Sequence, residues 1–252
     1  MEGQPYVISE THQHITTIEF YHPQGNSLPA KVLRDLANAV HAAGIDFNTR
    51  VIVLRSAGER AFCGGASFDE LVAISSKEEG TKFFSGFAQV INAMRKCPKL
   101  IVARVQGKCV GGGVGIVAAA DYAIALEGAE VKLSELSLGF GPFVIAPAVE
   151  RKIGAAAFGA LAIDATMWRK ADWALRKGLF SELHHSMDEL NEAVSRLAFA
   201  LSHSSVEATA ELKKILWKNT DDWDHLLNER AAISGKLAMA EFSKNIIHKM
   251  KK

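Results

Sequence analysis

The chain has 252 residues, of which 48% are hydrophobic and 23% charged, a make-up that fits one large globular domain or a domain with a small appendage. At that length a single core can bury roughly three quarters of the unfolded surface. Lys and Arg total 29 against 28 Asp and Glu, a formal charge of +1, which argues against nucleic acid or an anionic membrane as a partner. No apolar run approaches the roughly 20 residues that span a bilayer. The first residues, MEGQPYVISETHQ, carry neither a basic nor an apolar leader segment, so no signal peptide is expected. Cys63, Cys97 and Cys109 show no metal-ligand spacing and read as reduced thiols in a cytoplasm-like compartment, Cys63 and Cys109 packing as small apolar residues.

In chain order, YVISE and HITTIEFY predict two strands joined by a polar turn from Glu10 to Gln13. His22 to Asn26 is turn chemistry, and Ser27-Leu28-Pro29 opens a helix, with Ser27 as its cap and Leu33, Leu36, Ala37 and Val40 on one face. RVIVLR (50–55) is a short buried strand. AFCGGASFDELVAI then reads as a strand end, a glycine pair and a helix over Phe68 to Ile74. A helix is predicted over Phe83 to Met94, stopped at Lys96-Cys97-Pro98, before a second buried strand over Leu100 to Val105. A glycine run, Gly111 to Gly113, leads into an apolar helix through Asp121. Strand signals return at Tyr122 to Leu126 and Val131 to Leu133. From about Ala155 the pattern is helical, with candidates at 188–202, 205–218 and 223–250 and one possible strand near Leu179 to Leu183. The alternation predicts an α/β core over 1–195, with a largely parallel sheet, and a helical region over 196–252. The basic end, Lys249, Lys251 and Lys252, reads as a solvated tail.

Two glycine turns carry the chemistry. Cys63-Gly64-Gly65-Ala66-Ser67 and Val110-Gly111-Gly112-Gly113 both sit where a strand hands over to a helix. The first amides of a helix have no partner within it and point outward with partial positive charge. Two such turns at the ends of neighbouring parallel strands can aim N–H groups at one oxygen, the requirement for stabilising an oxyanion. Taken alone, each cluster is more often a tight turn. A dinucleotide fingerprint fails in register, since Ile116 and Ala118 stand where its last glycine is needed, and there is no GxxxxGK[ST] or GxSxG.

Together NSLPAKVLRDL, VIVLRSAGERAFCGGASFDEL, CPKLIVARVQGKCVGGGVGIVAAADYAIALEGAEVKLSELSLGFG and, more loosely, KADWALRKGLFSEL resemble the crotonase family, the enoyl-CoA hydratase/isomerase group. They cover nearly the whole chain in family order, with the glycine blocks about 45 residues apart. The resemblance implies a crotonase-like spiral of ββα units with a C-terminal helical trimerisation region, assembled as a homotrimer or a dimer of trimers. It implies an acyl-CoA thioester as substrate, coenzyme A entering as part of it, with no separate cofactor and no metal. The thioester carbonyl would accept from the amides of Ala66 and Gly112, while Ser67, Phe68 and Asp69 help to frame the coenzyme A moiety and Gly111, Phe140 and Phe143 join them in binding the substrate. Ser67 stands where relatives carry Asp, which leaves the backbone role intact.

The reaction turns on carboxylates. Hydratases of the family hold one water between two glutamates, a pairing that suits base and acid roles. Glu135 matches the second. The first is Gly115 here, and the glycine that follows proline in hydratases is replaced by Phe143 after Pro142. That combination is nearer the single-glutamate Δ3,Δ2-enoyl-CoA isomerases. Glu135 would move a proton from the α to the γ carbon, with Phe140, Phe143, Val144 and Ile145 forming a water-poor wall that raises its pKa. Hydration, another oxyanion chemistry, or a non-catalytic acyl-CoA-binding scaffold stay open as alternatives. Glu127, Glu130, His184 and His185 read as structural or solvated. The compartment expected for the whole is the cytoplasm.

Overall fold

The computed structural model describes residues 3–250, so Lys251 and Lys252 lie outside the described residues. The chain opens with a hairpin, β1 (Tyr6–His12) and β2 (Ile15–Tyr21). Its turn falls at Gln13 and His14, both with positive φ, not at Glu10 to Gln13, because Glu10 and His12 pair with Thr17 and Ile15. Helix α1 (Ala30–Ile45) follows. Pro29 takes its cap position, while Ser27 is buried with its hydroxyl 3.1 Å from His22 Nδ1, so the expected cap is not made.

Three strand pairs then repeat one plan. β3 (Val51–Ser56) leads to β4 (Ala61–Cys63), β5 (Leu100–Val105) to β6 (Lys108–Val110), and β7 (Tyr122–Leu126) to β8 (Glu130–Lys132). In each, the first strand joins a large sheet and the second a small one. The large sheet has the order β1-β2-β3-β5-β7-β10, with β10 being Glu182–His184, and every pairing after the first is parallel. The small sheet runs β4-β6-β8-β9, with β9 (Arg169–Lys170) antiparallel at its edge. β9 has no signal in the sequence, since two residues cannot display alternation. The large-sheet strands read as unbroken apolar runs because both faces are covered. Val51 and Val53 face one core and Ile52 and Leu54 the other.

The helices between the pairs are α2 (Phe68–Ala73), α3 (Lys77–Lys96), α4 (Gly112–Ala119), a 3₁₀ turn η1 (Glu135–Leu138) and α5 (Ala146–Ile153). α3 starts six residues earlier than its apolar face predicts, because Ser76 caps it, accepting from Glu79 N. After α6 (Ala155–Ile163) and α7 (Ala171–Arg176), α8 (Met187–Ser202) covers the second core. α9 (Val206–Leu216), α10 (Trp223–Ala238) and α11 (Glu241–Met250) fold back, α10 lying along α3 and α11 against η1. The 223–250 stretch is thus two helices, broken at Met239 and Ala240. No helix among the described residues is long and apolar enough to cross a membrane. All three thiols are free and buried.

One polar knot ties the C-terminal helices to the sheet. Asp121, between α4 and β7, accepts from Ile101 N at 2.7 Å, Lys213 Nζ at 2.6 Å and Trp217 Nε1 at 2.9 Å. Its side chain and that of Lys213 are almost fully buried. Lys152 donates to the carbonyls of Ala120 and Asp121, and burial pushes its pKa down to about 8. Asp121→Ala would leave the Lys213 ammonium buried without a counter-charge. Urea unfolding is expected to show a loss of about 3 to 5 kcal/mol; a loss below 1 kcal/mol would mean the pair contributes little.

Candidate active site

The parallel strands of the repeated pairs end on the same side, so the turns that leave β4 and β6 lie against each other. Gly65 (φ +88°) lets the first turn press on the second: a Cβ there would stand 2.8 Å from Val110 O and 3.8 Å from Gly112 N. Ala66 sits opposite Leu28 in a short parallel bridge. Leu28 N donates to Gly65 O and Ser67 N donates to Leu28 O, so the bridge uses the neighbours of Ala66 and leaves its own amide out. Gly112 is the first residue of α4, so its amide has no partner within the helix. Both residues line one cavity.

That cavity measures about 200 Å³. Phe83, Phe84 and Phe87 of α3 form one wall, and Phe140, Phe143, Val144 and Ile145 from the segment after η1 form another. Phe84 and Phe140 meet edge to face at 5.2 Å between ring centres. Glu135, Ser134 and Ser234 supply the polar side chains of the lining, and Glu135 is its single titratable group.

Glu135 is the first residue of η1, so its side chain leaves the chain where β8 turns back towards α4. Gly111 makes room for it, since a Cβ there would stand 2.7 Å from Oε1 and 3.5 Å from Oε2. Gly111 itself has φ +52°, which glycine adopts without steric cost. Oε2 is sealed from solvent and has no hydrogen-bond partner. Burial therefore disfavours the charged form and pushes the carboxyl up to about 7, with its own backbone N–H pulling back only in part.

One turn along α4 from the free amide, Gly115 faces Ile145. A Cβ at 115 would lie 2.7 Å from Ile145 Cβ and nearer still to Cγ2. The space a side chain at 115 would need is filled by an aliphatic group of the same chain.

The enoyl-CoA hydratase/isomerase family model matches residues 10–247. The chain belongs to that family. It is 27% identical over 208 residues to a probable enoyl-CoA hydratase of Bacillus subtilis (strain 168), covering 82% of this chain and 80% of the relative. It is 25% identical over 211 residues to the peroxisomal Delta(3,5)-Delta(2,4)-dienoyl-CoA isomerase of Arabidopsis thaliana, covering 78% and 74%. The solved structure of an enoyl-CoA hydratase from Bacillus halodurans superposes with a TM-score of 0.89 at 23% identity, over 97% of this chain and 99% of that one. This last likeness concerns the fold, a crotonase fold with a helical C-terminal region.

Within this family member, the cavity brings together Glu135, Ala66, Gly112, Gly111, Phe68, Phe140 and Phe143. Ser67 and Asp69 stand outside its lining. Ser67 is buried as the cap of α2, accepting from Glu70 N, and Asp69 is at the surface, accepting from Gln24 Nε2 at 3.0 Å. His184 pairs with Glu182 and His185 with Glu127, away from the lining residues. Three lining phenylalanines of α3 and Ser234 of α10 were not legible as site residues. The phenylalanines carry the same apolar spacing as any core helix, and a lone serine in a helix carries none.

Because the folded state holds the Glu135 proton more tightly than the unfolded chain, folding takes up a proton between the ordinary carboxylate range and about pH 7. Stability therefore falls as pH rises through that window. Glu135→Gln removes the penalty, so the variant is expected to be more stable than the parent at pH 8, by on the order of 3 kcal/mol, and no more stable near pH 4. Urea titrations at the two pH values check this. An equal gap at both would show that the carboxyl is solvated in the native state.

Proposed function

We propose that the protein shifts a carbon–carbon double bond in an acyl-CoA thioester, with Glu135 carrying the proton. The observation that carries this reading is the isolation of Glu135 as the single titratable group of an apolar cavity, with Ile145 packed where a second carboxylate would have to stand. A lone base can take a proton from one carbon and return it to another, whereas holding and activating a water calls for more than one polar partner.

In this reading the carboxylate of Glu135 accepts an α proton from a 3-enoyl-CoA. The C–H electron pair forms a double bond between the α carbon and the carbonyl carbon as the carbonyl π pair moves onto the thioester oxygen. This gives a dienolate conjugated with the 3,4 double bond, and that oxygen accepts from the amides of Ala66 and Gly112. These donors are part of the backbone and need no reorganisation as charge develops. Protonated Glu135 then gives the proton to the γ carbon, and collapse of the dienolate restores the carbonyl as a 2-enoyl-CoA. A pKa of about 7 suits both halves of the cycle, since the group must release at γ what it took at α. The Arabidopsis thaliana relative, named for an isomerase reaction, supports this choice within the family, as does the apolar, largely aromatic lining. The reading also carries the expected trimer, supported by apolar side chains left uncovered on α6 and α9, Ile163 and Ile215 among them.

Purified protein given 3-enoyl-CoA and 2-enoyl-CoA should migrate the double bond faster than it hydrates it. Hydration outrunning migration would remove the isomerase reading. Glu135→Gln should lower kcat by several orders of magnitude. For the parent enzyme, kcat/KM should drop about tenfold per pH unit below 7 and level off above it, because the base form is required; a flat profile from pH 5 to 8 would assign the proton to another group. Gly115→Glu alone should not introduce hydratase activity, since its side chain meets Ile145, while joining it to Ile145→Ala opens that space. Efficient hydration by the single variant would contradict the packing argument.

A further inference from the structure

The far wall of the cavity holds a hydroxyl that the proposed reaction does not use. Ser234, on α10, is 1% exposed and lines the cavity, and it enters none of the side-chain hydrogen bonds among the described residues. Other serines on helices satisfy themselves by bonding back to the preceding turn, Ser85 to Thr81 O at 2.7 Å and Ser204 to Ala200 O at 3.0 Å. Ser234 does not. Its oxygen is not among the atoms sealed from solvent without a partner, so the hydroxyl keeps access to the cavity it lines, and an acyl group that covers it must supply a partner or leave it unpaired.

Helix α3 gives the cavity a scale. At one end Phe87 lies on Gly112, beside the free amides. Seven residues away, Gly80 packs directly on Gly235, the neighbour of Ser234, with a Cβ at 80 only 2.8 Å from Gly235 Cα. At the rise of an α-helix this separation is about 10 Å. Phe83 and Phe84 line the stretch between. The lining contains no Lys, Arg or His, so a carboxylate at the far end of an acyl group would be buried without a counter-ion, in the same cavity as Glu135. A plain hydrocarbon chain would leave the Ser234 hydroxyl unpaired. A neutral oxygen satisfies both conditions.

We infer that Ser234 is a specificity residue whose hydroxyl binds a keto or hydroxyl oxygen on the acyl group, about 10 Å from the thioester carbonyl. The preferred thioester is then an oxygenated acyl-CoA, and unsubstituted and dicarboxylic acyl groups are discriminated against. The inference rests on the acyl-CoA reading of the cavity but not on which reaction follows.

Calorimetric titration with saturated probes separates the two, since decanoyl-CoA, 7-oxodecanoyl-CoA and 9-oxodecanoyl-CoA have no double bond to move. One of the keto thioesters is expected to bind at least tenfold more tightly than decanoyl-CoA. In Ser234→Ala that ratio should collapse towards one, with decanoyl-CoA binding as well as before or better. Ser85→Ala, which removes a self-satisfied hydroxyl outside the lining, should keep the parent ratio. Equal affinities in the parent protein, or a preference that survives Ser234→Ala, would overturn the assignment. Failure of all three thioesters to bind would remove the acyl-CoA reading and this inference with it, whereas absent double-bond migration alongside a Ser234-dependent preference would count against the proposed reaction only.

Discussion

A carboxyl group held in an apolar cavity, with one oxygen lacking any partner, is the constraint on which the site depends. Such a group is tolerated only where the surroundings are fixed by stronger interactions elsewhere, because the local balance favours exposing it. Here the backbone around Glu135 is pinned on three sides. Gly111 N donates to Lys132 O at 2.9 Å, fixing the end of β8 against the start of α4. Gly139 closes η1 in the left-handed region, and α11 lies over that closure, with Ser243 and Phe242 against Gly139. These contacts hold the backbone that carries Glu135 in place. Its pKa near 7 follows from that confinement.

The donors opposite are of another kind. The amides of Ala66 and Gly112 belong to two copies of the same strand-turn-helix handover, and parallel pairing of β4 with β6 brings the copies side by side. Their relative position is therefore set by sheet register and by the contact of Gly65 with Val110, not by rotamers. A side-chain donor would have to lose rotamer freedom on binding, while these amides were ordered when the chain folded. At the other end of the same unit, Asp121 fastens the close of α4 to Ile101 N and to α9. The short helix that begins with the Gly112 amide thus ends in a buried ion pair, which restricts how far its first turn can shift.

Much of this was readable before the coordinates, for definite reasons. Glycine pairs at strand-to-helix junctions and unbroken apolar strands are local patterns that point to the two glycine turns and the buried large sheet, whereas Glu135 is singled out by the resemblance of VKLSELSLG to the family, its spacing alone favouring a surface carboxylate. Other features are not local. The small sheet is assembled from strands of two or three residues, too short to alternate visibly, and β9 was missed outright. Ser27 has the chemistry of a helix cap, but the Leu28 bridge to Ala66 draws it inward to His22 and leaves Pro29 at the cap position. The phenylalanines of α3 resemble any buried helical face, and only the third dimension separates those facing a cavity from those facing the core. Ser234 is the extreme case, since its position depends on two helices, distant in sequence, crossing at Gly80 and Gly235.

That crossing joins the C-terminal helices to the chemistry. The absence of side chains at Gly80 and Gly235 lets α10 approach α3 until backbone meets backbone, which brings Ser234 into the cavity wall near Phe83 and Phe84. The desolvation that raises the Glu135 pKa comes from its burial against the same apolar lining. In the proposed reading, acyl-group selection at Ser234 and proton transfer at Glu135 thus share one apolar cavity, one wall of which is positioned by the packing of two glycines.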